Sequence, residues 1–177
     1  MKSKIISISA VSAGLIAVFL SLGAYFEFAD VFTIVIASVF VLLPLYYNSY
    51  KGSFLAYLVG VTIAFMISGF NIYSLVFPAF IGFFGVYPLV LSYMLEKRAN
   101  KIFRYVIGAI WCTVVFYGSY FYYTALIGDL LMGLPQWVSD YALYLILPVA
   151  VLFYFIFDRF IIVVKRVLNY YLSRIIK

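Results

Sequence analysis

The chain has 177 residues, of which 68% are hydrophobic and 10% are charged. An average soluble domain is about 45–50% apolar and about 25% charged, so this composition excludes an ordinary soluble globular domain. The formal net charge is +6, but the cations flank long apolar stretches, where they orient membrane spans and contact lipid headgroups rather than nucleic acid. The chain has one cysteine and no histidine, so we expect no internal disulfide, metal site or cofactor of that chemistry.

Six apolar stretches follow one another along the chain, each suited to cross about 30 Å of hydrocarbon as an α-helix. The sequence therefore predicts an all-α integral membrane protein, with residues 1–177 forming a single six-helix transmembrane domain. The predicted spans run from about Ile5 to Phe26, Val31 to Tyr47, Phe54 to Phe70, Ile72 to Leu95, Phe103 to Ile127 and Tyr141 to Val164, and a short amphipathic cytoplasmic tail follows at about 165–177.

The first span begins directly after Lys2 and Lys4. Its apolar stretch exceeds the roughly 7–15 residues of a signal-peptide core and no A-x-A-like site follows it, so we expect a span rather than a cleaved signal. Small side chains on one face would let another helix approach closely. We predict that this face contacts a partner protein through Ala10, Ala13, Gly14 and Ala17.

Four prolines fall within predicted spans, and the first of them, Pro44, interrupts the second span near its end. Pro78 and Pro88 each remove a backbone donor from the fourth span, which predicts a kinked or broken helix, either as a packing kink or as a helix shaped around a substrate. Pro148 predicts a bend in the sixth span. The segment 128–140 before that span has turn residues at both ends, which predicts a loop with a short helical piece on the membrane surface.

The charges are strongly segregated between the two sides of the predicted bundle. The run Lys97, Arg98, Lys101 and Arg104 cannot enter hydrocarbon without a cost of several kcal/mol, so we expect it to lie in water at a membrane face. All 12 Lys and Arg residues fall on that side or near its boundary. Cationic loops stay cytoplasmic, which predicts cytoplasmic amino and carboxyl termini and outward-facing residues 27–30 and 128–140.

Polar and aromatic side chains at the outward ends of the spans are candidates for binding a small molecule. Asn71, Tyr73, Trp137 and Tyr141 could converge on a polar, partly flat ligand, although interfacial anchoring also explains the aromatics and a turn also explains the asparagine. Asp129 and Asp140 could pair with a cationic ligand group or simply be solvated. We expect a pocket in the outward half of spans three to six, with the segment before span six as a lid.

Asp158 lies inside the sixth span, where an ionisable residue is a candidate functional group. The adjacent Arg159 offers a different interpretation, because a snorkelling arginine near a helix end often sets the depth of the helix. The sequence contains no Ser/His/Asp arrangement, phosphate-binding glycine loop or paired-carboxylate motif. We therefore expect a binding protein rather than an enzyme.

The whole chain resembles the substrate-binding S components of energy-coupling factor (ECF) transporters. The resemblance rests on its length, its six predicted spans with cytoplasmic ends, the Lys51-Gly52 turn between spans two and three, and the pairs Ala10-x-x-x-Gly14 and Ala13-x-x-x-Ala17 in a basic-flanked first helix. In that family the small-residue face packs against a transmembrane coupling subunit. The resemblance implies uptake of a vitamin or precursor across a bacterial or archaeal cell membrane, with separate cytoplasmic ATPases as partners.

A second functional class also fits the size and the topology. The chain is similar in both respects to the rod-shape morphogenesis protein MreD, which would make it a non-transporting membrane scaffold. A ligand bound to the purified protein favours the transporter subunit. Association with envelope-synthesis or division proteins only would favour the scaffold.

Overall fold

The computed structural model describes the backbone of residues 2–127 and 136–175. Within these ranges it describes every side chain except those of residues 2, 27, 123, 127, 136–140, 142 and 172–175. Every regular element in the described ranges is helical, and the chain has 6 helical spans long and apolar enough to cross a membrane. The prediction of a six-helix architecture of the membrane-spanning type is therefore confirmed.

The described elements follow the order of the predicted spans. They are α1 (Lys2–Tyr25), a 3₁₀ turn (Glu27–Ala29), α2 (Asp30–Phe40), a second 3₁₀ turn (Pro44–Tyr47), α3 (Tyr50–Ile67), α4 (Val76–Ala79), a π-helix (Phe80–Phe84), α5 (Tyr87–Glu96), α6 (Lys101–Ile127) and α7 (Gln136–Ile175). The segment from α4 to α5 forms one membrane-length unit, Val76–Glu96, which we call span four.

One end of the bundle collects the cations and is called the basic end. Here the start of α3 packs against the start of α1. Gly52 of α3 lies so close to Ser9 of α1 that a Cβ atom added to the glycine would be 2.6 Å from the Ser9 Oγ. The end of span four meets α7 at the same end, where Lys165 Nζ lies 4.0 Å from Glu96 Oε1. The exposed Lys97, Arg98 and Lys101 follow directly after Glu96.

The opposite end is called the acidic end, because Glu27 and Asp30 lie there between α1 and α2. The end of α1 meets the end of α3 through a 2.7 Å bond from the Tyr25 hydroxyl to the Ile67 carbonyl. The end of α6 meets the segment before span four, where the Tyr122 hydroxyl donates to the Ile72 carbonyl. Neighbouring spans therefore run in alternating directions.

Helices α1, α2 and α3 form one closely packed group. Pro44 has no N–H with which to bond the Phe40 carbonyl in an α-helix, and the Ser12 hydroxyl of α1 donates to that carbonyl at 2.6 Å. Gly60 of α3 lies against α1, with Ile16 only 2.7 Å from where a Cβ would stand. The missing side chain allows the two helices to approach closely.

Span four is the centre of the bundle. In its most apolar window 61% of the residues are buried, against 17–44% in the other five spans. Phe80 and Phe83 of the π-helix are fully buried. The regular α-helical pattern stops at Phe80 and resumes at Tyr87, so the predicted break of this span takes the form of a π-helix followed by a short turn. Such segments often occur at functional sites.

Two predicted helix starts are wrong, because local side chains bond the backbone there. The third span begins at Tyr50 rather than Phe54, since the Ser49 hydroxyl accepts from the Gly52 N–H at 3.1 Å and so caps α3 four residues earlier. Span four begins at Val76 rather than Ile72. Its predicted first turn is instead occupied by side-chain turns that close on the backbone of residues 71–76.

The sixth span also departs from the prediction. It begins before Tyr141, because residues 136–140 of the predicted surface segment are part of α7, while residues 128–135 of that segment lie outside the described residues. The residues predicted as an amphipathic tail from Lys165 continue the same helix to Ile175. α7 runs through Pro148 without interruption. Tyr117 of α6 donates to the Leu143 carbonyl at 2.6 Å, next to the Tyr144 carbonyl that Pro148 leaves without its helical donor. A neighbouring hydroxyl thus supports the helix where the proline weakens it.

Candidate functional site

The acidic half of the bundle contains a cavity of about 350 Å³ between α3, span four and α6. This volume lies near the lower end of the roughly 300–1,000 Å³ that small-molecule sites occupy. The described residues that line the cavity are mainly aliphatic and aromatic: Val61, Thr62, Phe65, Ile72, Phe77, Pro78, Ile81 and Tyr122. The cavity is the candidate functional site.

Aromatic rings form the back of the cavity. Phe65 of α3 packs edge-on against Phe77, with the ring centroids 5.1 Å apart and the ring planes at 82°. Phe65 also meets Phe70 at 5.3 Å, which joins this wall to the turn after α3. The ring of Phe77 is buried, so this part of the cavity is anchored in the core.

Two hydroxyls are the polar groups among the described lining residues. Thr62 Oγ1 donates to the Leu58 carbonyl at 2.9 Å, and the Tyr122 hydroxyl donates to the Ile72 carbonyl. Both hydroxyl protons are thus directed at backbone carbonyls. The bond from Tyr122 also holds residue 72 at the acidic end of the cavity.

The π-helix lies directly beside the cavity and is held from two sides. The Tyr57 hydroxyl of α3 donates to the Ile81 carbonyl at 3.2 Å, and Trp111 Nε1 of α6 donates to the Gly82 carbonyl at 2.9 Å. A π-helix disturbs the regular backbone ladder, and neighbouring side chains satisfy its carbonyls in the apolar interior. α3 and α6 are therefore both tied to the segment that separates them.

Five of the six predicted substrate-binding residues lie outside this cavity or outside the described residues. Tyr73 is 55% exposed and Tyr141 is 58% exposed, and neither lines the cavity. All of residue 129 and the side chains of Trp137 and Asp140 lie outside the described residues, although residues 137 and 140 are in α7. A ligand role for these residues stays a prediction.

Asn71 is placed next to the cavity but closes a local turn. Its Oδ1 accepts from the Tyr73 N–H at 3.1 Å. The turn interpretation of this asparagine accounts for the side-chain oxygen. The following residue, Ile72, is the one that lines the cavity.

A second cluster of polar side chains is buried in the basic half. Asp158 is fully buried and accepts from the Tyr87 hydroxyl at 2.5 Å. Arg104 Nη2 lies 3.4 Å from the second oxygen of Asp158, and the arginine side chain is 8% exposed. The expectation that Arg104 lies in water is therefore wrong. The carboxylate of Asp158 draws its guanidinium into the bundle, because a buried carboxylate needs a countercharge.

The cluster joins span four to α6 and α7. The hydroxyls of Tyr87 and Tyr154 lie 3.2 Å apart, and Tyr154 donates to the Arg104 carbonyl at 3.2 Å. Arg104 Nε has no hydrogen-bond partner among the described residues. Arg159 is exposed and is not the described partner of Asp158. We call Tyr87, Arg104, Tyr154 and Asp158 the buried charge cluster.

The small residues of α1 divide into two sets. Ala13 and Ala17 are 5% and 2% exposed and pack inside the bundle. Ala10 and Gly14 are exposed, and a Cβ added at Gly14 would meet nothing within 4 Å. Contact with a partner stays a prediction, and Ala10 and Gly14 are the members of the set with free surface.

Sequence reasoning missed the residues that line the cavity and the partner of Asp158. Phe65, Phe77 and Tyr122 look like ordinary residues of apolar spans, and 54 positions separate Arg104 from Asp158. One signal was available for the arginine. It is the second residue of the predicted fifth span, Asp158 lies six residues before the predicted end of the sixth, and both of these ends belong to the same side of the bundle, where opposite charges favour pairing.

No protein-family model matches the chain, and no curated protein or solved structure is significantly similar to it. The fold and the site together define a class: a helical protein with six membrane-length spans, an apolar cavity in one half and a buried charge cluster in the other.

Proposed function

We propose that the chain is the substrate-binding membrane subunit of a micronutrient uptake transporter, similar to the S components of ECF transporters. The observation that carries this proposal is the cavity between α3, span four and α6, which lies in the half of the bundle away from the cations. Small-molecule sites are typically concave, mostly apolar and placed between helices. The cavity meets each of these criteria.

The orientation that we propose for the bundle fits uptake rather than export. The basic end faces the cytoplasm in our proposal, because cationic loops beside membrane spans stay on that side. The cavity then lies in the outward half of a multi-pass protein of a bacterial or archaeal cell membrane. A substrate reaches it before any contact with the cytoplasmic ATPases that would drive release.

Labelling of single cysteines tests this orientation. In a Cys112→Ala background, Lys97→Cys and Tyr73→Cys place one thiol at each end, and both native side chains are exposed. We expect an impermeant maleimide added to intact cells to label the Tyr73→Cys variant only. Labelling of both variants, or of Lys97→Cys only, contradicts the proposed orientation.

Ligand binding is tested by native mass spectrometry of the gently purified protein, followed by thermal-shift screening against vitamins and their precursors. A ligand that binds the folded state must raise its stability, by about 2.7 kcal/mol at one hundred times its Kd. Ile81→Trp should reduce this effect, since Ile81 lines the cavity. Val114→Trp is the matched control, because Val114 is an exposed α6 residue that is not among the lining residues.

The proposed partners are a transmembrane coupling subunit and cytoplasmic ATPases. Gly14→Leu should prevent co-purification of that subunit while the protein stays folded, because the site has free space around it. Val163→Leu, at a position 54% exposed on α7 and so away from the proposed partner face of α1, should leave the complex intact. Recovery of envelope-synthesis proteins instead of ATPases, with no ligand in the screen, would replace the transporter by a scaffold.

A further inference from the structure

The lining of the cavity restricts the charge of its occupant. None of the described lining residues is charged, and six of the eight are purely apolar. A charged group placed there would lose its hydration without gaining a countercharge, which costs several kcal/mol or more. The occupant, or at least the part of it inside the cavity, must therefore be uncharged.

The two hydroxyls restrict its hydrogen bonding. A hydroxyl has one proton to donate and two lone pairs that accept. The protons of Thr62 and Tyr122 are directed at the carbonyls of Leu58 and Ile72, so what these side chains can still offer a ligand is acceptance. A ligand with a donor gains a bond here, whereas one with acceptors only would leave them unsatisfied at about 1–3 kcal/mol each.

The walls favour a flat ring over a branched or bulky shape. Phe65 and Phe77 meet edge to face, and Pro78 and Tyr122 add two more ring surfaces to the lining. A ring that stacks or packs edge-on against such side chains gains about 0.5–1.5 kcal/mol beyond its buried area. At about 350 Å³ the cavity holds one small ring system and not a complete phospholipid.

The cavity reaches the side of the bundle. Two of its lining residues belong to the lateral surface: Thr62 is exposed on α3, and Ile81 is 47% exposed on the π-helix. α3 packs mainly against α1, and α6 packs mainly against α7, so the two walls are not pressed together. Towards the acidic end the segment at Ile72 is fastened by Tyr122. The exposed lining residues therefore offer an approach from the hydrocarbon.

We propose that the substrate is a small, uncharged, flat ring molecule with a hydrogen-bond donor, which reaches the cavity sideways from the membrane between α3 and α6. This inference rests on the proposed function, because it names the substrate class of the same site. It excludes charged and phosphorylated micronutrients. It favours lipid-soluble ones with a phenol, an enol or an N–H on a ring.

Direct binding of 2-naphthol tests this inference. The compound is flat, neutral at pH 7 and carries one donor, and a tritiated form can be titrated into the protein in phosphatidylcholine nanodiscs with empty nanodiscs subtracted. Three comparison probes isolate the chemistry: naphthalene lacks the donor, naphthalene-2-sulfonate adds a charge, and dodecane replaces the ring by a chain. We expect saturable binding of 2-naphthol, with naphthalene weaker by about tenfold, a factor equivalent to one lost hydrogen bond of about 1.4 kcal/mol.

Variants tie the signal to the cavity. Ile81→Trp should weaken binding of 2-naphthol by about tenfold or more, because the larger side chain occupies the lateral opening. Val114→Trp should not change it. Thr62→Trp, with Val59→Trp as its control at a position 45% exposed on the same helix, replaces the first pair if Ile81→Trp does not fold.

Each outcome decides between the two proposals. Binding of dodecane but not 2-naphthol would show that the cavity is a binding site for lipid chains, and would overturn the proposed substrate class. Binding of a charged vitamin in the thermal screen, sensitive to Ile81→Trp, would overturn the substrate class and leave the proposed function standing. Absence of binding by every probe and every vitamin would overturn both.

The lateral route has its own test. Asn71→Ala removes the side-chain bond to the Tyr73 N–H that closes the turn around Ile72 at the acidic end, and Asn71 is not among the lining residues. Sideways access predicts an unchanged association rate for 2-naphthol in this variant. A clear increase in that rate would show that the ligand arrives from water past Ile72, and would overturn the lateral route.

Discussion

The basic half of the bundle is packed around rings and a buried ion pair, whereas the acidic half contains an apolar cavity that opens to the side. In the basic half Phe83 contacts the rings of Tyr87, Trp111 and Phe157, and Asp158 has no exposed surface. In the acidic half a cavity of about 350 Å³ lies between α3, span four and α6. Span four and α6 contribute to both halves, whereas α3 lines the cavity and α7 contributes to the buried charge cluster.

The difference shows how one apolar chain can combine a tightly packed half with an open cavity in the other half. In a bilayer the helices gain nothing from hiding apolar surface from lipid, so close packing and polar contacts decide where they are held together. In the basic half span four is both closely packed and held by polar contacts. Its π-helix then leads to the cavity, where the helices are less closely packed.

The largest expected effect is at the buried charge cluster. Asp158→Asn leaves the Arg104 guanidinium buried without its countercharge, and breaking a buried pair in this way costs about 3–5 kcal/mol. We expect this loss in reversible unfolding of the purified protein by sodium dodecyl sulfate. Arg159→Gln, which alters the adjacent exposed cation, is the control and should change stability by less than about 0.5 kcal/mol.

The double variant Arg104→Met with Asp158→Leu sharpens this prediction. Replacing both members of a buried pair by apolar side chains is often neutral, so the double variant should be more stable than Asp158→Asn. A double variant less stable than Asp158→Asn would show that the ion pair stabilises the fold by more than the neutralisation of its two buried charges.

Removal of one ring from each half compares them directly. Phe83→Ala in the basic half should cost about 3–5 kcal/mol, because the fully buried ring leaves a void that its neighbours cannot fill. Phe65→Ala should cost clearly less, since that ring already borders an empty space. The same unfolding assay measures both. Equal losses would mean that the two halves are equally tightly packed.

The sequence was sufficient for the parts of the fold that composition and covalent chemistry determine. The six spans follow from the lengths of the apolar stretches, and the irregularity of span four follows from Pro78 and Pro88. The grouping of the cations at one end was visible in the same way. None of these features depends on which helix packs against which.

The sequence was insufficient wherever the answer depends on pairing between spans. A helix that is apolar on every side shows no hydrophobic face, so the separation of α3 from α6 has no signature in the pattern, and the burial of Arg104 was indicated only by its position inside a span on the same side as Asp158. The cavity lining was missed for this reason, because Phe65, Ile81 and Tyr122 come from three different spans. Local hydrogen bonds moved the helix starts at Ser49 and Asn71.

Substitutions at two glycines test the close packing of α1 against α3. Gly60→Ala places a Cβ about 2.7 Å from Ile16, and overpacking of this kind costs about 1–3 kcal/mol. Gly14→Ala is the matched control, since a Cβ there meets nothing within 4 Å and should stabilise the helix slightly. A similar melting temperature for both variants would contradict the close approach of α1 and α3.

The smallest expected effect is at the acidic end. Tyr122→Phe removes one hydrogen bond to the Ile72 carbonyl, for an expected loss of about 0.5–1.5 kcal/mol. Tyr117→Phe removes the bond to the Leu143 carbonyl and serves as the comparison between α6 and α7. We expect both variants to fold, and only Tyr122→Phe to increase amide exchange in residues 71–76.

Hydrogen exchange with and without ligand tests most directly that binding is confined to the acidic half. The ligand is the compound that raises the melting temperature most in the screen, added at saturation to the protein in nanodiscs. Ordered binding slows amide exchange where the bound state stabilises the backbone. We expect slower exchange in residues 58–65 and 71–82 and no change in residues 87–96. Unchanged exchange in the first two segments, or equal slowing in the third, would contradict a ligand site in the cavity of the acidic half.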